Sequence, residues 1–131
     1  MGAVNVHSDI LIELREYIQQ NIIPQYVNFD KAHQIDHVEK VIEESLKLAS
    51  YYDVNLPMVY TIAAYHDLGL CEGREFHHIV SGKKLMADET LRHWFTDEQL
   101  LQMKEAIEDH RASNKQIPRS IYGICLLDAR W

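Results

Sequence analysis

The segment Met58-Val-Tyr-Thr-Ile-Ala-Ala-Tyr-His-Asp-Leu68 is apolar on almost every side when wound as a helix. A helix with a single apolar stripe can lie on a surface, but one that is apolar all round must be enclosed by other elements. The rest of the chain therefore has to cover this segment. Pro57 suits the helix start, and Gly69 can terminate it. At the end of this most apolar helix stand His66 and Asp67. Neither side chain is desolvated cheaply without a partner, and a buried carboxylate needs a cation or several donors.

The covering elements read as helices. Ser8 can cap a first helix with Leu11, Leu14 and Ile18 on one face. Asn21 to Phe29, with Pro24, reads as a connection. A second helix is predicted over about Ile35 to Ser50, where Val38, Val41, Ile42, Ser45, Leu48 and Ala49 share one face. The enclosed helix follows a turn at Asp53 to Pro57 and runs over about Met58 to Leu68. A fourth is predicted over about Glu75 to Thr90. Thr96-Asp-Glu-Gln99 fits a capping box and opens a fifth, with Leu100, Met103 and Ile107 in register. Pro118 opens a last helix with Ile121, Ile124 and Cys125 inward. No segment shows the period-2 alternation of a strand. The expected fold is an all-α, compact bundle of about six helices, not of simple up-down form.

With 131 residues, 47% of them hydrophobic, residues 1–131 are expected to form one domain with a real core. No apolar run reaches the roughly 18 residues of a membrane span, and no signal peptide is evident at the N-terminus. Cys71 and Cys125 show no CxxC spacing, so a reducing, cytoplasmic setting is expected. A net charge of −7 argues against sequence-independent binding of nucleic acid. It leaves room for a small phosphorylated ligand, because a bound metal reverses the local field. An acidic, partly apolar bundle of this kind could also form a homodimer.

Several polar side chains fall on apolar faces. His37 lies at the margin of the second helix's face, one turn before Val41. His78 shares a face with Gly82, Leu85 and Met86, and His110 extends the line Leu100, Met103, Ile107. Asp128 continues Ile121, Ile124, Cys125. Taken singly, an inward histidine is more often a hydrogen-bonded core residue, and Asp128 could cap a neighbouring element or pair with Arg130. Taken together, six such groups in a core of this size call for a cation to organise them.

The order of these residues resembles the signature of the HD-domain superfamily of metal-dependent phosphohydrolases. His37 in Asp36-His-Val, then His66-Asp67, then a distant Asp128 carry the resemblance over roughly Ile35 to Ala129. It implies that His37, His66, Asp67 and Asp128 hold a primary metal. His78-Ile-Val-Ser-Gly82 resembles an element of the two-metal subfamilies, and His110 in Ala106-Ile-Glu-Asp-His resembles their next histidine. In those members the aspartate of the pair bridges both ions, which implies Asp67 as the bridge with His78 and His110 on the second ion. His77 is the alternative to His78, although it sits away from the Gly82 face. After Asp128 the family continues with Ala-Asp or Ala-Asp-Arg, whereas this chain reads Ala129-Arg130-Trp131. A short or C-terminally truncated member would read this way.

The resemblance implies hydrolysis of a nucleotide or other small phosphate ester or anhydride by metal-activated water. Asp67 and His66 would then be central to catalysis. Arg74 and Arg111 are the candidate phosphate-binding cations; Lys83 is a further one, and Lys84 reads as a solvated surface residue. His33, one turn before His37, could reach substrate, and Glu72 and Glu75 could orient water. His7 and His93 read as surface residues. One or two divalent ions are expected. The mixed histidine and carboxylate set favours iron or manganese, with zinc, cobalt, nickel or magnesium as alternatives. Two other functions remain open on the same residues: a di-iron oxygenase of this fold, and a nucleotide-sensing module without turnover.

Overall fold

Helix α3 (Leu56–Tyr65) is the centre of the molecule and touches all five other α-helices: α1 (Gly2–Asn21), α2 (Ile35–Ala49), α4 (His77–Ala87), α5 (Asp97–Glu108) and α6 (Ile121–Ala129). This is a computed structural model, describing residues 2–28, 35–69, 77–109 and 120–129, with side chains for 12–26, 35–69, 77–109 and 120–126. Among the described residues no strand occurs, and no described helix is long and apolar enough to cross a membrane. The fold is all-α, as the periodicity implied.

Every residue from Pro57 to Tyr65 is buried, which is what a helix apolar on all sides requires. The helix begins where Asn55 accepts the amide of Met58 at 3.2 Å, with Pro57 in the first turn. Proline loses nothing there, because that N–H has no intrahelical partner. On α2, Val38, Val41, Ile42, Ser45 and Ala49 are buried, while Leu48 is half-buried. On α1, Leu14 and Ile18 are fully buried. Each large apolar side chain enclosed in this way contributes about 1.5–3 kcal/mol. On α5 the capping box forms as expected, Thr96 and Gln99 each bonding the other's backbone amide.

Four local differences from the sequence-based expectation have physical causes. Helix α1 starts at Gly2 and not after Ser8; a helix once nucleated adds one hydrogen bond per residue, so a capping side chain does not oblige it to begin there. Residues 21–29, expected as a connection, contain a 3-10 helix at Ile23–Asn28. The inner face of α6 is Gly123, Cys125 and Leu126, with Ile121 and Ile124 only half-buried. That helix is apolar nearly all round, so its own pattern does not choose which side faces α2 and α5.

The fourth difference is at α4, which ends at Ala87 because Asp88 turns the chain. The Asp88 carboxylate caps the 3-10 helix Glu89–His93 through the Thr90 amide at 3.1 Å. Its other oxygen accepts hydroxyls from Tyr17 at 2.6 Å and Tyr65 at 2.5 Å. One carboxylate thus ties α1 and α3 to the end of α4. Burial pushes the Tyr65 hydroxyl's pKa up, and the Asp88 charge pushes it further. Asp88→Ala should therefore cost about 3 kcal/mol in urea unfolding, since hydrogen bonds to charged groups are worth about 1.5–3 kcal/mol each. Metal binding elsewhere should be unaffected.

Candidate metal centre

The helical hydrogen bonding of α3 stops at Tyr65, three residues sooner than its apolar pattern suggests. His66 is the C-cap, still with right-handed helical angles, and Asp67 lies in the turn beyond. Gly69 does not end the helix through a left-handed conformation. It is needed for close approach: a methyl group there would collide with the carbonyl oxygen of His77 and lie 2.7 Å from the amide nitrogen of Ser81. The bare backbone lets the first turn of α4 pack directly on the His-Asp turn. Gly82 has a similar role further along α4, where a Cβ would meet the Lys104 side chain of α5 at 3.1 Å.

This packing brings three imidazoles onto one carboxylate. His66 Nε2 lies 3.1 Å from Asp67 Oδ2, and His37 Nε2, from the first turn of α2, lies 3.7 Å from the same oxygen. His77 Nε2, from the start of α4, lies 3.4 Å from the other oxygen, Oδ1. Ligand atoms of His37, His66 and Asp67 all fall within 4.8 Å of one another, close enough to hold a single ion. Side-chain exposure grades across the group: 0% for His66, 2% for Asp67, 17% for His77 and 35% for His37. His66 and Asp67 form the floor, and His37 and His77 form the rim.

The protonation pattern fits a metal. His66 Nδ1 lies 2.5 Å from the Ala63 carbonyl oxygen. A carbonyl can only accept, so Nδ1 carries a proton; Nε2 either carries a second one, which makes the ring a cation that donates to Asp67, or presents its lone pair to the carboxylate. Two electron-rich atoms 3.1 Å apart repel unless a cation or a proton stands between them. A histidine that donates its far N–H to a backbone carbonyl is the usual support of a metal ligand. Burial acts to raise the Asp67 pKa, but the His66 charge and hydrogen bonds from His37, His66 and His77 outweigh it and hold the carboxyl well below the usual range. Asp67 is therefore an anion at any physiological pH.

His37, His66 and Asp67, proposed from the sequence, do come together. The sequence places His78 ahead of His77, yet the 3.4 Å approach to Asp67 is that of His77. His78 is buried next to it, with ring centroids 6.0 Å apart. Asp128 belongs to the last turn of α6, but its side chain lies outside the described residues. So do Arg74, Arg111 and His110, together with His33, Glu72 and Glu75. Lys83 is exposed on α4 and Lys84 half-buried. His93 is exposed beside Trp94. Tyr26 was missed: its hydroxyl accepts the Asp67 amide at 3.3 Å and donates to the Ala64 carbonyl at 2.6 Å. Burial pushes its pKa well up, and the Asp67 charge adds to this, so it stays a neutral donor. Nothing local in the segment around Pro24 marks that role.

No protein-family model matches this chain, and no curated protein does. Among solved structures it is similar to the crystal structure of a predicted HD superfamily hydrolase from an uncultured Thermotogales bacterium. The two share 23% sequence identity with a TM-score of 0.68, over 94% of this chain and 65% of the other. The chain thus shares the fold of that protein, and spans 65% of its length. The histidine and aspartate cluster that could hold a metal sits within that fold.

Proposed function

We propose that the protein is a metal-dependent phosphohydrolase acting on a nucleotide or other small phosphate ester or anhydride. One observation carries this reading: three imidazole nitrogens converge on both oxygens of one buried carboxylate. The likeness to a predicted HD superfamily hydrolase supports it. In this reading His37, His66, Asp67 and Asp128 would hold one ion. Asp67 and His110 would hold a second with His77, which is preferred to His78 for its 3.4 Å approach to Asp67. Iron and manganese suit this donor set best.

A divalent ion held there supplies Lewis acidity toward water and phosphate oxygens. The chain's own residues do the rest. Asp67 provides fixed negative charge, and the Ala63 carbonyl fixes the His66 ring. The more exposed His37 and His77 leave the site accessible from the rim. Arg74 and Arg111 would neutralise the phosphate.

The test is metal analysis of protein purified without chelator, followed by a phosphate-compound screen with added manganese. Hydrolysis that disappears on metal removal is the expected result. Tight nucleotide binding without turnover would replace the reading with a sensor, and a mixed-valent iron pair consuming oxygen would replace it with an oxygenase. His77→Ala should lower metal content from two ions per chain to one, while His78→Ala should leave it unchanged. The reverse result would give the second-ion position to His78.

A further inference from the structure

We infer that Tyr26 and Ser81 are positioning residues for Asp67: Tyr26 holds the peptide that carries both carboxylate oxygens, and Ser81 sets the approach of the His77 side to one of them. The inference rests on the metal-site reading above.

A helix end leaves backbone groups without intrahelical partners, and the turn after α3 is held by two side-chain hydroxyls from elsewhere in the chain. On one side, the fully buried Tyr26 bonds both ways. Its hydroxyl accepts the N–H of Asp67 at 3.3 Å and donates to the carbonyl of Ala64 at 2.6 Å. That clamp fixes the peptide that carries Asp67, so it governs both carboxylate oxygens together. On the other side, the Gly69 N–H donates to Ser81 Oγ at 2.7 Å. Ser81 is fully buried on α4, four residues after His77, and so lies on the same helical face. Gly69 has no side chain to hold α4 away. The Ser81–Gly69 bond therefore sets the distance of the first turn of α4 from Asp67, and with it the 3.4 Å approach of His77 to Oδ1. It does not involve His37 or His66, which meet Oδ2.

The two residues thus predict different losses. Tyr26→Phe keeps the ring and removes the clamp on Asp67, so it weakens every ion that Asp67 holds. Ser81→Ala frees only α4, so it weakens only the ion on the His77 side. Changes in the hydrogen-bonded support of metal ligands typically cost about 10–100-fold in affinity.

The experiment is a Mn(II) titration of chelator-stripped protein, with free Mn(II) read by electron paramagnetic resonance and the fold checked by far-UV circular dichroism. Wild type should bind two ions. Tyr26→Phe should raise both dissociation constants about tenfold or more. Ser81→Ala should raise one about tenfold and leave the other within about twofold. Thr96→Ala, which removes a helix cap far from the site, should change neither, and so separates positioning from general destabilisation. If both site variants titrate like wild type, the inference is overturned and the metal site stands. If Ser81→Ala weakens both ions equally, or wild type holds a single ion, the two-sided assignment is overturned. If wild type binds neither Mn(II) nor Fe(II) nor Zn(II), the metal-site reading itself falls. Should Tyr26→Phe not fold, the Ser81→Ala titration still decides between one-sided loss and none.

Discussion

Asp67→Asn should abolish divalent-metal binding, lowering affinity by more than about a hundredfold, because outer supports of metal ligands alone are worth about 10–100-fold. The substitution preserves size and backbone and removes only the charge. Asp67 faces His37 and His66 through one oxygen and His77 through the other. An amide offers one weaker acceptor, and its NH2 would point at an imidazole nitrogen on whichever side it faces. The variant should fold but melt below wild type, since the surrounding histidines hold the Asp67 charge favourably and removing one partner of a buried charged group is destabilising. Loss of metal with retention of the fold is the signature sought, by metal analysis alongside thermal denaturation. An Asp67→Asn protein with full metal content would remove the site as described. Activity, once a substrate is known, should disappear with the metal.

Gly69→Ala should be among the most destabilising single substitutions in the chain, at about 3 kcal/mol and on the order of 10 °C in melting temperature. The added methyl would collide with the backbone carbonyl of His77 and lie 2.7 Å from the backbone nitrogen of Ser81. Neither is the flexible tip of a side chain, so relief requires the first turn of α4 to move as a unit. That movement would also lengthen the His77 approach to Asp67. Loss of stability should therefore come with weaker binding at the His77 side. Gly82→Ala is the comparison. There the contact is the Lys104 side chain at 3.1 Å, which can yield, so the effect should be small.

Most of the architecture was legible because it is a local property. The enclosure of α3 follows from apolar residues on all its sides, and the inner face of α2 follows from a 3.6-residue period. The start of α5 follows from Thr96 and Gln99, which cap each other within one turn. The pairing of His66 with Asp67 at the end of a buried helix pointed to a metal before any geometry was known. The extent of α4, the inner side of α6 and the role of Tyr26 were less legible, since each depends on a segment distant in the chain. Asp88 ends α4 while binding Tyr17 and Tyr65 from two other helices.

The clearest division lies between His77 and His78. Sequence alone determined that a histidine at the start of α4 would turn inward, and its resemblance to the two-metal members implied that it would sit near the His-Asp pair. It did not determine which of the two neighbours would meet Asp67. Adjacent residues on a helix differ by about 100° in direction, and a period carries no information about the helix's rotation relative to a distant carboxylate. Tertiary packing decided that rotation, through Gly69 against α4, the Ser81 hydroxyl on the Gly69 amide, and Gly82 against α5. Those contacts turn His77 Nε2 toward the Oδ1 side of Asp67.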